Sequence, residues 1–231
     1  MMAQGISFKE KQLQFSRVKD AFTEKEKTVK QYFSKANLPY QGFALFIRAF
    51  KKERIVEAWV KTSGDKFDLL VTFPFCETSG SLGPKRKEGD LQIPEGIYTL
   101  NYFNPQSNFH LSLGVSYPNA SDKILSDKKH PGGAIYIHGN CVTIGCIPIT
   151  DDKIKELYVL AVEARNNGQQ NIPIHIYPSR LDDKGLTLLT TDYAGSPHLK
   201  FWQNLRPIFD DFENTKKLRV VKVNSKGEYY F

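Results

Sequence analysis

The sequence predicts an α+β protein, and three observations carry that expectation. Short runs rich in β-branched and aromatic residues recur between Gly, Pro, Asp and Asn turns, the spacing of a β-sandwich or barrel-like sheet. Stretches with helical periodicity lie at both ends of this series, and only one convincing helix interrupts it. With 231 residues, 40% apolar and 13% aromatic, the chain can bury a core as one large or two small domains, and disorder is excluded.

Residues 8 to about 36 place Phe8, Leu13, Phe15, Val18, Phe22, Val29 and Phe33 in a charged background, which reads as one or two amphipathic helices stopped by "NLPY". Strand-like runs follow: "GFALFIRAF" and "RIVEAWVKT" around the charged turn "KKE", then "FDLLVTFPF", "GIYTLNYF", "FHLSLGVSYP", "GAIYIHG" and "IPIHIYP". The interrupting helix is "TDDKIKELYVLAVEARNNG". Thr150 suits its N-cap, Asp151 and Asp152 complement the dipole in the first turn, and Gly168 stops it. Its apolar face of Ile154, Leu157, Tyr158 and Ala161 packs on a sheet. Further on, Phe201, Leu205, Phe209 and Phe212 form one helical stripe, which Pro207 should kink or restart. The chain ends in a hairpin around "NSKG". The expected organisation is an N-terminal helical segment (1–38), a β-rich catalytic domain (39–180) and a C-terminal α/β extension (181–231).

The net charge of +7 invites a nucleic-acid reading, but the densest basic runs, "GPKRKEGD" and "SDKKHPGG", are Gly- or Pro-flanked loops without interleaved aromatics. No nucleic-acid partner is expected, and an acidic or carboxylate-rich substrate fits the charge equally well. No stretch has the roughly 18 to 20 apolar residues of a membrane span. The polar N-terminus lacks the apolar region of a signal peptide. Oligomeric state is not legible.

Three cysteines, Cys76, Cys141 and Cys146, leave at least one thiol unpaired. Cys146 lies just ahead of the helix capped by Thr150, and His138 closes the strand "AIYI", so both sit on a strand-to-helix connection. A cysteine nucleophile needs a base that makes it a thiolate, and the flanking Gly139 and Gly145 allow successive amides to face a developing oxyanion. Two other readings stand beside this one. A zinc site could use His138, Cys141 and Cys146, although a structural site wants four ligands and His130 and Cys76 add no recognised spacing. Alternatively, Cys146 is a small buried side chain beside a hydrogen-bonded histidine.

"IHGNCVTIGCIPIT" resembles the signature of the L,D-transpeptidase catalytic domain (YkuD) family: a histidine followed by glycine, joined to a terminal [ST]-x-G-C. The matching residues are His138 and Gly139, then Thr143, Ile144, Gly145 and Cys146. "GPKRKEGDLQIPEGIYTL" is similar to a second family segment. "NPQSNFHLSLGVSYPNASD", "IPIHIYPSRL" and "FWQNLRPIFDDFE" resemble the YafK-like branch, and the likeness spans about residues 40 to 214. It implies a thiol enzyme without metal or organic cofactor, acting on peptidoglycan stem peptides or a peptidoglycan-linked lipoprotein in the periplasm of a Gram-negative bacterium. Position by position, it implies Cys146 as acylated nucleophile and His138 as general base. The amides of Ile144, Gly145 and Cys146 are oxyanion donors, the Gly139 carbonyl orients the imidazole, and Thr143 supports the turn. Lys85 and Arg86 fall in a loop placed to meet substrate carboxylates, and His110 matches a branch histidine near the cleft. The chain departs from most members at Ile144, where they carry histidine, and at Pro148, where they carry Arg or Asn; these departures favour hydrolysis over cross-linking. A cross-linking transpeptidase, an L,D-carboxypeptidase and a non-catalytic peptidoglycan-binding protein are the alternatives.

Overall fold

A computed structural model describes residues 5–231; Met1–Gln4, the start of the segment read as N-terminal helical, lie outside the described residues. The chain runs α1 (Phe8–Gln12), α2 (Ser16–Lys35), β1 (Ala44–Phe50), β2 (Ile55–Lys61), β3 (Asp68–Pro74), β4 (Gly96–Asn104) and β5 (Ser112–Val115). Then come α3 (Ala120–Leu125), β6 (Tyr136–His138), β7 (Ile147–Pro148), α4 (Asp151–Asn166) and β8 (Ile172–Tyr177). The chain closes with α5 (Asp183–Asp192), α6 (Leu199–Thr215), β9 (Lys222–Val223) and β10 (Tyr229–Tyr230). The fold is α+β, as the sequence predicts.

Strands β1 to β8 form one sheet in the order β3-β2-β1-β8-β4-β5-β6-β7, with β1/β8 and β6/β7 parallel. The sandwich alternative therefore fails: helices, not a second large sheet, cover both faces. Strand β1 shows why. Leu45, Ile47 and Ala49 join a core with α2 and α4 on one face, while Phe46 and Phe50 join aromatic clusters with α6 on the other. A strand covered on both faces reads as a nearly continuous apolar run, which is what "ALFIRAF" is.

The one polar residue of that run, Arg48, is 1% exposed. Its Nε and Nη2 donate to Glu57 Oε2 (3.0 and 2.8 Å), its Nη1 donates to Glu213 Oε1 on α6 (2.7 Å), and its guanidinium lies 4.7 Å from the rings of Trp59 and Phe212. Satisfied donors and aromatic faces on both sides make this buried charge tolerable.

The barrel-like element of the prediction survives as curling. Cys76, two residues past β3, donates its amide to the Pro148 carbonyl of β7 (3.1 Å) and forms a disulfide with Cys141 in the β6–β7 connection. The first and last strands of the sheet order thus meet at a covalent seam, which shields two edges that would otherwise offer unpaired backbone groups.

Three further differences have local causes. Helix α3 is six residues long, too short for a periodic signal, and rests on a capping box between Asn119 and Asp122. Helix α5 starts at the Asp182 cap but carries Gly185 and several threonines, which mask it in a propensity reading. Helix α6 continues through Pro207; tertiary packing of Trp202, Leu205, Ile208, Phe209 and Phe212 outweighs the missing amide.

Candidate active site

The parallel register sets Ile137 beside Ile147 and His138 beside Pro148. Because side chains alternate along a strand, His138 and Cys146, the residue before β7, fall on the same face of adjacent strands. Both line a cleft of about 430 Å³ together with Phe109, Ala134, Tyr136, Val142, Thr143 and Ile144. No Asp, Glu, Lys or Arg lines it.

His138 is 1% exposed. Its Nδ1 donates to the Gly139 carbonyl at 2.5 Å, which fixes the tautomer and leaves Nε2 as the basic nitrogen. Burial holds the imidazole below its ordinary 6.5, against a smaller upward pull from that hydrogen bond. Gly139 has no room for a side chain, since a Cβ there would lie 2.9 Å from the Phe109 carbonyl and 2.5 Å from Asp151 Oδ1. That Asp151 oxygen accepts the Asn140 amide (2.7 Å), tying the loop after His138 to the first turn of α4.

Cys146 is the free cysteine, and its Sγ–H donates to the Ala134 carbonyl (3.7 Å). Burial pushes the thiol above its ordinary value; the Tyr136 backbone and the Lys85 ammonium oppose this more weakly. Those two directions favour a neutral thiol beside a neutral imidazole. Gly145 sits at φ +137°, with the Gln92 carbonyl 3.0 Å from where a Cβ would be, a backbone position that requires glycine.

Thr143 organises the turn that carries Cys146. Its Oγ1 accepts the amides of Gly145 (3.1 Å) and Cys146 (2.8 Å) and donates to the Cys146 carbonyl (2.9 Å). Those two amides must exchange Thr143 for an oxyanion before they can stabilise one; the Ile144 amide makes no such bond. The Ile144 side chain is 79% exposed at the cleft rim.

The basic loop is placed differently from the site itself. Lys85 is buried, donating to Asp90 Oδ1 (2.7 Å) and the Lys87 carbonyl (3.0 Å). Arg86 pairs with Asp122 (3.0 Å) and stacks over Phe201. His110 has Asp151, Lys155, Arg17 and Glu24 as its charged neighbours. None of the three lines the cleft with Cys146. Residues that do, and that sequence reading passed over, are Tyr136, which shares the period-two face of His138 on β6, and Ala134, Val142 and Phe109, which come from the flanking loops and which no local pattern connects to it. Among the described residues, no group of three or more His, Cys, Asp or Glu is arranged to hold a metal ion, and no helix is long and apolar enough to cross a membrane.

The family described as the L,D-transpeptidase catalytic domain, YkuD, matches residues 47–176. The Escherichia coli K12 protein named "Putative L,D-transpeptidase YafK" is 34% identical over 184 residues, covering 79% of this chain and 72% of its own. Among solved structures, the helical cell shape determining protein Pgp2 of Campylobacter jejuni (K307A mutant) aligns with TM-score 0.47 and 18% identity over 79% of this chain and 72% of that one. Bd1075 of Bdellovibrio bacteriovorus aligns with TM-score 0.43 and 23% identity over 74% and 61%.

Proposed function

Because the chain belongs to the YkuD family of L,D-transpeptidase catalytic domains, we propose that it is a cysteine-dependent enzyme acting on peptidoglycan through a Cys146 acyl-enzyme. The observation that carries this reading is the meeting of a free, half-buried thiol and a tautomer-fixed histidine on one face of the sheet, at one cleft.

His138 Nε2 takes the thiol proton as Sγ attacks the carbonyl carbon of a stem-peptide or diaminopimelate-linked amide. The tetrahedral oxyanion displaces Thr143 Oγ1 from the amides of Gly145 and Cys146, which become its donors together with Ile144. Collapse breaks the C–N bond, the amine leaves with the proton from His138, and a thioester remains. An amine acceptor or water then attacks the thioester, again losing its proton to Nε2, and Cys146 departs and recovers that proton. Amine gives transpeptidation and water gives hydrolysis.

Hydrolysis that frees lipoprotein from peptidoglycan is the preferred outcome, supported by the uncharged cleft and by Ile144 and Pro148 at the positions where most family members carry polar or charged residues. A disulfide between Cys76 and Cys141 supports an oxidising compartment, hence the periplasm.

The test incubates wild-type and Cys146→Ala protein with purified peptidoglycan carrying bound lipoprotein and reads released muropeptides and protein by mass spectrometry. Cleaved or newly cross-linked products from wild type alone support the reading and identify the bond. Identical profiles from both proteins with substrate still bound refute it in favour of a binding protein.

A further inference from the structure

Phe109 is 39% exposed at the tip of the loop between β4 and β5, yet its ring lies 4.7 Å from the His138 imidazole at a tilt of 31°. It therefore covers one face of the general base, and it does so from a loop that carries two local penalties. His110, next in the chain, takes φ +68°, a left-handed conformation uncommon for a residue with a side chain, and its buried Nε2 has no hydrogen-bond partner. Penalties of this kind persist only where surrounding structure enforces them, and they cluster at functional sites.

The enforcing contact comes from α2. Arg17 Nη1 donates to the carbonyls of both Ser107 and His110, the latter at 2.8 Å, so one guanidinium clamps the two sides of Phe109. Ser107 Oγ also accepts the Phe109 amide (3.0 Å), fixing the tip from within. For helix stability Arg17 is badly placed. It sits in the first turn, where the macrodipole favours acids, in a helix that has no acid in that turn and no side-chain cap. The choice of residue makes sense for the loop and not for the helix.

We propose that Arg17 is a positioning residue for His138: by clamping the Ser107 and His110 carbonyls it holds the Phe109 ring against the imidazole and keeps that face dry. The N-terminal helix thus belongs to the active site at one remove. The proposal rests on His138 being the general base.

The test follows the histidine imidazole resonances of the full chain through a pH titration, in wild type, Phe109→Leu, Arg17→Ala and Arg17→Lys, beside the rate of Cys146 alkylation by iodoacetamide. The other titratable groups near the ring are Cys146 across the cleft, Asp151 beside Gly139 and His110 in the loop, and Phe109→Leu changes none of them. Phe109→Leu and Arg17→Ala are expected to shift the His138 resonances, raise its titration midpoint as water reaches the ring, and change the alkylation rate at neutral pH by roughly two- to tenfold, the range spanned by one aromatic contact. Arg17→Lys, which keeps a charged nitrogen donor but carries it on a shorter stem, recovers part of the effect. Folded Phe109→Leu protein with unchanged His138 resonances and titration overturns the proposal, and it does so even where Arg17→Ala does not fold. A lowered melting temperature with an unmoved His138 titration assigns Arg17 a merely structural role and overturns it too. A His138 response in a chain inert towards peptidoglycan supports the positioning while refuting the proposed reaction.

Discussion

The seam between the sheet edges invites a quantitative test. Cys76→Ser and Cys141→Ser together remove a cross-link between residues 65 apart with Cα atoms 5.4 Å apart, while Cys146 stays in place. Cys141 is exposed and Cys76 half-buried, so the serines bury no new unpaired hydroxyl of consequence. Loop-closure entropy for that separation gives about 4 kcal/mol at 25 °C. For a chain of this size, that corresponds to a fall in melting temperature on the order of 8 to 16 °C. Differential scanning calorimetry of the double variant against wild type, both in a Cys146→Ala background to prevent mispairing, reads this directly. The seam also fixes Cys141 inside the loop that carries Thr143 and Cys146, so in the Cys146-containing forms the double variant should alkylate at Cys146 with altered rate. A melting temperature unchanged within about 3 °C, with the disulfide verified in wild type by thiol counting, would refute the claim that this cross-link closes the sheet.

Two further outcomes concern stability alone. Burial lowers the pKa of His110, His138, His198 and, most strongly, His175, which falls from 6.5 to about 3. Each such histidine is neutral in the fold and protonated in the unfolded chain below pH 6.5, so stability is full above 6.5 and is lost as pH falls. Asp122, raised by burial to about 6, acts in the opposite sense over part of that window but is one group against four. His175 alone is worth about 2 kcal/mol between pH 6.5 and 4.5. Urea titrations across that range should show stability climbing with pH, and His175→Gln should flatten the climb; an unchanged slope in the variant contradicts the assignment. Arg48→Met leaves Glu57 buried with Arg180 and Trp59 as its remaining partners and should cost about 3 kcal/mol or more in equilibrium denaturation. A loss under about 1 kcal/mol would show that the guanidinium is not what neutralises that carboxylate.

Much of this architecture is legible in the sequence because its punctuation is strong. The strands from β1 to β5 and β8 are bounded by Gly, Pro or charged turns, and Thr150 with Asp151 and Asp152 marks the start of α4. The loop that brings His138 and Cys146 to one cleft shows itself through that histidine, the flanking glycines and the cysteine within a few residues. What escapes is whatever only the tertiary fold creates. Strand β7 is two residues long and exists because the parallel pairing with β6 needs it. Cys76 and Cys141 meet because the sheet curls, which no local spacing encodes. Lys85 looks like a free cation in a basic loop, but Asp90 folds back onto it and removes it from solvent. Phe109 reaches His138 across the β5–β6 pairing, so nothing adjacent in the chain announces it.

The buried charges on β1 and beside it bear on how portable this catalytic unit is. The stretch that matches the family ends at residue 176, yet Arg48 within it takes one of its carboxylates from Glu213, and Glu95, which neutralises Lys51 at 2.9 Å, accepts a hydrogen bond from Trp202 Nε1 at 2.8 Å. A transplant of the matched segment into another host would carry the loop of His138 and Cys146 intact, with Arg48 keeping Glu57 and Lys51 keeping Glu95, but both pairs would lose the cover and the extra hydrogen bonds that α6 supplies. The tail from α5 onward therefore covers and completes the ion pairs of the matched segment, so the end of the family match is not a point at which the chain can be cut without opening those pairs to solvent.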